Sequence, residues 1–250
     1  MKDYDRVAWC TELSPSDYDH FVEMKDDGIQ TAVVCIYSSD ETSPLGTEQT
    51  HNARSAGLDV HAFCMTDLKD PWGDALEFTN RLRSLNYDKK ARLAVMPMPD
   101  EDMPGPEERL KLMFSTIQKY FADIPIDVVL TKEQLLKGKF IFDLLLANIN
   151  LTVGNVGGLN AGIKEAGTWI YTGRFNGHLQ LLAYDFYQYY TKVNQFHGFQ
   201  LGLDNEYEAR MGDSWWIIAK QHGLQVLDLL ELNHADIADR IIPGQRIRIA

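Results

Sequence analysis

Residues 29–64, IQTAVVCIYSSDETSPLGTEQTHNARSAGLDVHAFC, determine the fold class of this chain. The apolar run IQTAVVCIY at 29–37 is typical of a buried strand, and LDVHAFC at 58–64 is a second one. The segment EQTHNARSAG between them, 48–57, is helix-like and ends in glycine, a common helix stop. A strand, a helix and a strand in this order predict two parallel strands joined by a crossover helix.

The same alternation continues on both sides of this unit. Strand-like stretches recur at about eight places in the first 186 residues, among them DRVAWC at 5–10, ARLAVM at 91–96 and GTWIYTGRF at 167–175. Helix-like stretches separate them, for example DALEFTNRLRSL at 74–85. About eight strands in such an order favour a closed α/β barrel of the TIM type, built from (β/α) units, over an open sheet.

Composition and charge exclude several classes of protein. The chain is 45% hydrophobic and 24% charged, which is typical of a globular protein, and its formal net charge is -12. That charge argues against nucleic acid or an anionic membrane surface as a partner. The start MKDYDRVAWCTEL has no apolar core of a signal peptide, and no apolar run reaches about 20 residues. We therefore expect synthesis in the cytoplasm without a signal peptide, and no membrane span.

No motif predicts a cofactor or a metal. The seven histidines are scattered without an i, i+4 pair, so a metal site has no starting point in the sequence. The glycine-rich stretch VGNVGGLNAG at 153–162 lacks the Lys-Ser/Thr that follows a phosphate-binding loop. We expect neither a metal nor a cofactor.

The tail YEARMGDSWWIIAKQHGLQVLDLLELNHADIADRIIPGQRIRIA, 207–250, carries the most specific pattern in the chain. Gly212-Asp213-Ser214-Trp215 opens a helix, and Ile242-Pro243-Gly244-Gln245 makes the turn into a closing strand. These landmarks, in this order, resemble a LysM module. The pattern predicts a small α+β unit with the order βααβ.

The LysM resemblance implies a ligand. LysM modules bind glycans that contain N-acetylglucosamine, such as peptidoglycan or chitin, in a groove between the loop before the first helix and the segment before the closing strand. On this chain the implied glycan contacts are Gly212, Asp213, Ser214, Trp215, Ile241 and Ile242. From the residues alone, Trp215 or its neighbour Trp216 is equally consistent with a core position.

Residues 1–186 resemble glycoside hydrolase family 25, the barrel-type muramidases of bacterial and phage lysins. The similar features are Ala56-Gly57-Leu58 leading into a strand, and Trp169, Tyr171 and Thr172 on a late strand. Between this part and the tail, residues 187–206 are aromatic, contain neither Pro nor Ser and predict a packed connector. The resemblance implies a peptidoglycan-cleaving barrel whose carboxylates lie at the tips of the strands.

Apolar side chains occupy the positions where that family carries its acids. The first strand ends in Trp9 or its neighbour Ala8, and the late acidic position falls on Leu182 or Leu181. The stretch RLAVMPMPDEDMP, 92–104, places Met96 and Met98 at the two acidic positions of the fourth strand. Without carboxylates the barrel cannot protonate a glycosidic oxygen. We therefore predict no catalytic residue, and the replaced acids favour a protein that is not an enzyme over a peptidoglycan hydrolase.

Three functions remain in competition. The first is a peptidoglycan-binding, lysin-like protein of a phage or prophage that has lost muramidase catalysis and acts at the bacterial cell wall. The second is an active N-acetylmuramidase endolysin with relocated acids, for which Asp100 and Glu101 are the candidates. The third is a structural protein of a phage tail or baseplate, in which barrel and LysM module contact other phage proteins within the particle.

Overall fold

A computed structural model of the chain describes residues 4–39, 43–88, 90–122, 124–140, 149–192, 206–209, 213–222, 224–233, 235–236 and 239–249. The chain divides into two compact units, residues 1–196 and 197–250. Among the helices in these described ranges, none has the length and apolar character needed to cross a membrane.

The first unit alternates strands with helices along most of its length. Its elements are β1 (Asp5–Cys10), α1 (Tyr18–Asp26), β2 (Thr31–Ser38), α2 (Gly46–Ser55), β3 (Asp59–Thr66), α3 (Pro71–Ser84), β4 (Leu93–Pro97), α4 (Pro106–Tyr120), β5 (Ile126–Thr131), α5 (Lys132–Leu136), β6 (Asn150–Gly154), β7 (Thr168–Phe175) and β8 (His178–Asp185). The eight strands of this described part close into a barrel in sequence order, as the alternation predicted.

The barrel departs from the regular TIM pattern at its last strand. Strands β1 to β7 are parallel to one another, whereas β8 runs antiparallel to both β7 and β1. The reason is the two-residue connection Asn176-Gly177, in which both residues have positive φ, 47° and 84°. Such a turn can join only antiparallel strands. The predicted closed α/β barrel is confirmed, but it is not a TIM barrel as such.

Two apolar layers hold the barrel together. In the inner layer, every second side chain along a strand points into the lumen. These side chains include Val7, Trp9, Val33, Cys35, Phe63, Ala94, Val129, Ile170 and Ala183. The outer layer packs the other strand face against the helices.

All three cysteines are buried free thiols, and burial raises the pKa of Cys10 and of Cys35 to about 12. Buried free thiols of this kind pack as small apolar side chains.

A turn after β8 closes the amino-terminal end of the barrel. Tyr189 and Tyr190 are fully buried and belong to the inner apolar layer. The Asp185 carboxylate accepts hydrogen bonds from the backbone amides of Tyr189, Tyr190 and Thr191, at 3.0, 2.8 and 3.1 Å. We expected the barrel to end at residue 186; it continues through this turn, because two aromatic rings of the predicted connector fill the lumen.

The second unit has the predicted βααβ order. Its elements are β9 (Glu206–Glu208), α6 (Trp215–Gln221), α7 (Val226–Leu232) and β10 (Arg246–Arg248). Strands β9 and β10 form an antiparallel pair, with Ile247 opposite Tyr207. The core contains Ala209, Trp215, Ile218, Ala219, Leu229, Leu230, Ile247 and Ile249. The second unit is therefore a small α+β domain with a core of its own.

Candidate functional site

The mouth of the barrel at the carboxyl ends of the strands is lined with apolar side chains. Trp9 at the end of β1 is fully buried in the lumen, and its ring contacts Phe63 edge-on with 5.2 Å between centroids. Met65, Met96 and Leu181 are partly buried and pack against the same inner layer. Barrel enzymes place their catalytic groups at this end. Here the lumen below the mouth holds a fully buried indole, and the partly buried Met65 and Met96 supply thioethers.

The predicted replacement on β4 consists of two differently placed methionines. Met96 points into the lumen, whereas Met98 lies one residue beyond the strand and is 56% exposed. The backbone amide of Met98 donates to the carbonyl of Thr66 at 2.7 Å, which fixes the rim next to β3. Met98 therefore stands at the edge of the mouth, where solvent reaches it.

The predicted position on β8 is shifted by one residue. Leu182 packs in the outer layer opposite Ala8 of β1, and Leu181 lies opposite the inward-facing Trp9. Side chains opposite each other in an antiparallel pair point to the same face of the sheet. On β8, Leu181 and not Leu182 therefore points into the lumen. On β1, Trp9 and not Ala8 points into the lumen.

The carboxylates nearest the rim of β4 are engaged with a lysine. The Lys69 ammonium lies 3.2 Å from both the Asp67 and the Asp100 carboxylates, and the Asp100 side chain is 62% exposed. Partial burial alone would raise the pKa of Asp67, but hydrogen bonds from the Lys69 amide and ammonium outweigh it and lower the pKa. A general acid needs a raised pKa. Glu101 is exposed and lines a cleft beside the mouth.

Asp74 of α3 is a buried carboxylate behind the carboxyl ends of β2 and β3. Inside the lumen, the buried carboxylate lies at the other end of the barrel. Asp127 is the second residue of β5 and is fully buried. Its carboxylate accepts hydrogen bonds from the hydroxyl of Tyr190, and from both the hydroxyl and the amide of Thr152. Burial raises the pKa of Asp127 to about 7, although these hydrogen bonds oppose the shift.

This buried carboxylate was missed at the sequence level. The available signal is Asp127 itself, because a charged residue inside the apolar strand IDVVLT must be hydrogen-bonded when it is buried. Its position at the amino end of a parallel strand places it on the side of the barrel that usually serves stability. Asp127 therefore closes the floor of the barrel and does not supply the missing acid.

In the second unit, Trp215 joins the two segments that were predicted to form a glycan groove. Its indole Nε1 donates to the carbonyl of Asp239 at 2.9 Å, across from the start of α6 to the segment before β10. The side chain is 4% exposed and belongs to the core. Because the ring is covered by protein, it ties the two segments together and does not offer a face to a sugar.

The other predicted contacts differ in what they expose. The Asp213 carboxylate accepts a hydrogen bond from the Tyr207 hydroxyl at 2.7 Å, and Ser214 caps α6 by accepting from the amide of Ile217. Ile241 is partly buried against the core, whereas Ile242 is 67% exposed. Gly212 lies outside the described residues. Ile242 is therefore the predicted contact best placed to meet a ligand.

Comparison with known proteins finds a family for the second unit and similar folds for the first. Residues 207–250 match the family model of the LysM domain. The barrel is similar to GHIP, a glycosyl hydrolase 25 of Streptococcus pneumoniae, with TM-score 0.61 and 10% identity over 77% of this chain and 91% of that one. It is also similar to the catalytic domain of endolysin ply40 from bacteriophage P40 of Listeria monocytogenes, with TM-score 0.61 and 8% identity over 74% and 94%.

A third structure with the same fold is the spore cortex lytic enzyme SleM of Clostridium perfringens, with TM-score 0.56 and 12% identity over 73% of this chain and 67% of that one. No curated protein sequence matches the chain. The chain thus combines a barrel that has the fold of family 25 lysozymes and endolysins with a C-terminal LysM domain.

Proposed function

We propose that this protein binds bacterial peptidoglycan without cleaving it, and that it is a lysin-like protein of a phage or prophage. The LysM domain engages the glycan strand. The barrel keeps the shape of a muramidase but has no catalytic carboxylate. The protein acts at the cell wall, and its ligand is the N-acetylglucosamine-containing glycan.

The observation that carries the proposal is the apolar mouth of the barrel. Glycoside hydrolysis needs two carboxyl groups that flank the scissile bond, about 5 to 9.5 Å apart. The inward positions at the carboxyl ends of the strands hold Trp9, Met96 and Leu181. None of these can transfer a proton or stabilise an oxocarbenium ion by charge.

The similar structures support peptidoglycan as the ligand class. Those proteins are described as an endolysin, a glycosyl hydrolase 25 and a spore cortex lytic enzyme. Identities of 8 to 12% speak for the fold alone, so the ligand assignment rests on the LysM match together with the barrel. An exposed isoleucine at the predicted groove gives a glycan ring an apolar surface to contact.

The test is to incubate the purified full chain with Gram-positive peptidoglycan and to follow released reducing ends and sedimented protein in the same tubes. We expect binding without release, while an active muramidase in parallel tubes releases sugar. The variants Asp100→Asn and Glu101→Gln test the relocated acids, and Glu108→Gln, an exposed acid on α4, is their matched control. Release that either variant abolishes and the control retains would show an active endolysin and overturn the proposal.

One observation favours contacts with another protein as a second candidate function. Exposed apolar side chains recur on the segments that follow the carboxyl ends of the strands, namely Leu13, Met98, Leu136 in α5, Val156 and Leu159, together with Leu179 at the start of the antiparallel β8. An apolar rim of this kind is typical of surfaces that meet other proteins. A chain that neither sediments with peptidoglycan nor releases sugar would favour this function, as expected for a phage structural protein.

A further inference from the structure

A cleft of about 770 Å³ opens beside the mouth of the barrel, at the carboxyl ends of β4 and β5. Its walls are the loop after β4 with the start of α4 on one side, and α5 with the residues after it on the other. Clefts of roughly 300 to 1,000 Å³ are the usual size of small-ligand sites. This one accepts a ligand the size of a short peptide.

The cleft carries both signs of charge. Glu101, Glu107 and Glu133 supply carboxylates, and Lys137 and Lys139 supply ammonium groups. Glu133 and Lys137 pair with each other at 2.5 Å, but both side chains are about 70% exposed. An exposed pair of this kind contributes little stability. Glu133 and Lys137 can therefore separate and bind charged groups of a ligand at a small cost in free energy.

The walls are held in place by hydrogen bonds to the β4 tip. Lys139 Nζ donates to the carbonyl of Pro99 at 2.8 Å, and Gln134 Nε2 donates to the carbonyl of Pro97 at 3.2 Å. Gln134 also completes a capping box with Thr131 at the start of α5. A cleft formed before the ligand arrives binds it with less loss of conformational entropy.

The lining distinguishes between ligand classes. None of the described residues that line the cleft is aromatic, so a sugar ring finds no platform there. Three carboxylates against two ammonium groups disfavour a polyanion. A short ligand that carries both carboxylates and an amine matches both charge types. In peptidoglycan that ligand is the stem peptide, which has free carboxylates and, before cross-linking, the free amine of its diamino acid.

We propose that the cleft between the β4 and β5 loops binds the stem peptide of peptidoglycan, with Lys139 facing a ligand carboxylate and Glu101 facing the ligand amine. This inference rests on the proposed function for its ligand class. It adds a peptide site on the barrel to the glycan site on the LysM domain, so that the two units contact chemically different parts of the same polymer.

The test titrates the full chain with the γ-linked tetrapeptide L-Ala-D-Glu-L-Lys-D-Ala by calorimetry, and separately with the tetramer of N-acetylglucosamine. We expect the tetrapeptide to bind with a dissociation constant below about 1 mM, and Lys139→Met and Glu101→Gln each to weaken binding roughly tenfold. The exposed α4 residues provide matched controls, Lys119→Met and Glu108→Gln, which should bind as the parent does.

The two probes separate the two proposals. Absence of tetrapeptide binding, or equal weakening by the cleft variants and their controls, overturns the peptide site even when the sugar tetramer still binds. Tetrapeptide binding that only the cleft variants weaken supports the site, even when the sugar tetramer fails and the glycan part of the proposed function falls. Glu101→Gln alters an exposed side chain, so its effect is readable even where Lys139→Met perturbs the loop.

Discussion

At the residue scale, the LysM domain shows how burial redirects a predicted role. The motif that predicted glycan contacts also supplies a core tryptophan, a helix cap and an acceptor for the Tyr207 hydroxyl. Side chains used in this way stabilise the loops of the predicted groove. The exposed residues beside them remain to contact a ligand, and two predictions separate these roles.

Replacement of an exposed groove residue should weaken binding without unfolding the domain. Ile242 is 67% exposed, so Ile242→Ser removes apolar area that a sugar ring would cover. We expect roughly tenfold weaker sedimentation with peptidoglycan, which corresponds to about 1.4 kcal/mol. Leu227→Ser on α7 is the matched control, because Leu227 is 77% exposed and outside the predicted groove. Equal losses for both variants would contradict the assignment.

Replacement of the buried tryptophan should act through stability. Trp215→Ala is expected to cost about 3 to 5 kcal/mol, more than so small a domain can lose and stay folded. Trp215→Phe keeps most of the packing and loses the hydrogen bond to Asp239, so about 1 kcal/mol of stability should go while glycan binding persists. Urea denaturation measures the loss of stability in both variants, and sedimentation with peptidoglycan measures glycan binding. A folded Trp215→Phe chain without binding would make Trp215 a direct contact.

At the element scale, one short turn decides how the barrel closes. Asn-Gly between alternating residues is a strong hairpin signal, and it is present in GRFNGHLQ, residues 173–180. The sequence therefore contained the antiparallel direction of β8, but the periodic alternation of the preceding elements favoured one more parallel strand. The shift from Leu182 to Leu181 needed more information, since the register of β8 against β1 decides which leucine lies opposite the inward-facing Trp9.

The turn also gives a test of its own. Gly177 has a φ of 84° and an added Cβ would meet no atom within 4 Å, so Gly177→Ala carries only the backbone cost of a left-handed conformation. We expect about 1 kcal/mol of destabilisation in urea denaturation. Gly173→Ala in β7 is the control, because its φ is not positive and its Cβ would make an ordinary contact with Leu181. Equal stability changes would argue against the turn as described.

At the scale of the whole molecule, two buried titrating groups with opposite effects lie at the floor of the barrel. Asp127 has its pKa raised to about 7 by burial, and burial lowers the pKa of His61 to about 4. A raised carboxyl pKa makes the folded state lose stability as pH rises from about 4 to 7. A lowered histidine pKa makes it lose stability as pH falls from about 6.5 to 4. The two contributions largely cancel in the parent protein.

Replacement of Asp127 should leave the effect of His61 visible in the pH dependence of stability. In Asp127→Asn the free energy of unfolding should rise between pH 4.5 and 6.5 by about 2 kcal/mol more than in the parent. The pKa of Asp185 is also raised, but Asp185 is present in both proteins, so it does not change the difference between them. Urea denaturation at the two pH values measures it, and Tyr190→Phe, which removes a hydrogen bond to Asp127, is the comparison variant. An unchanged pH dependence in Asp127→Asn would contradict the titration of this carboxyl.

The sequence by itself determined the features that depend on local order along the chain. The strand and helix alternation gave an eight-stranded barrel, and the spaced landmarks of residues 207–250 gave the LysM domain. The apolar residues at the strand tips were also readable, because a strand and its end are defined by neighbouring residues. These patterns depend on propensities that act over a few residues.

Only the tertiary structure decided the features that depend on pairing across the chain. It set which of two leucines faces the lumen, placed Tyr189 and Tyr190 as the floor of the barrel, and buried Trp215. It also brought residues after β4 and residues after β5 together into one cleft. Strand register, barrel closure and burial depend on contacts between residues far apart in the sequence, and a period of two or of 3.6 residues carries no information about them.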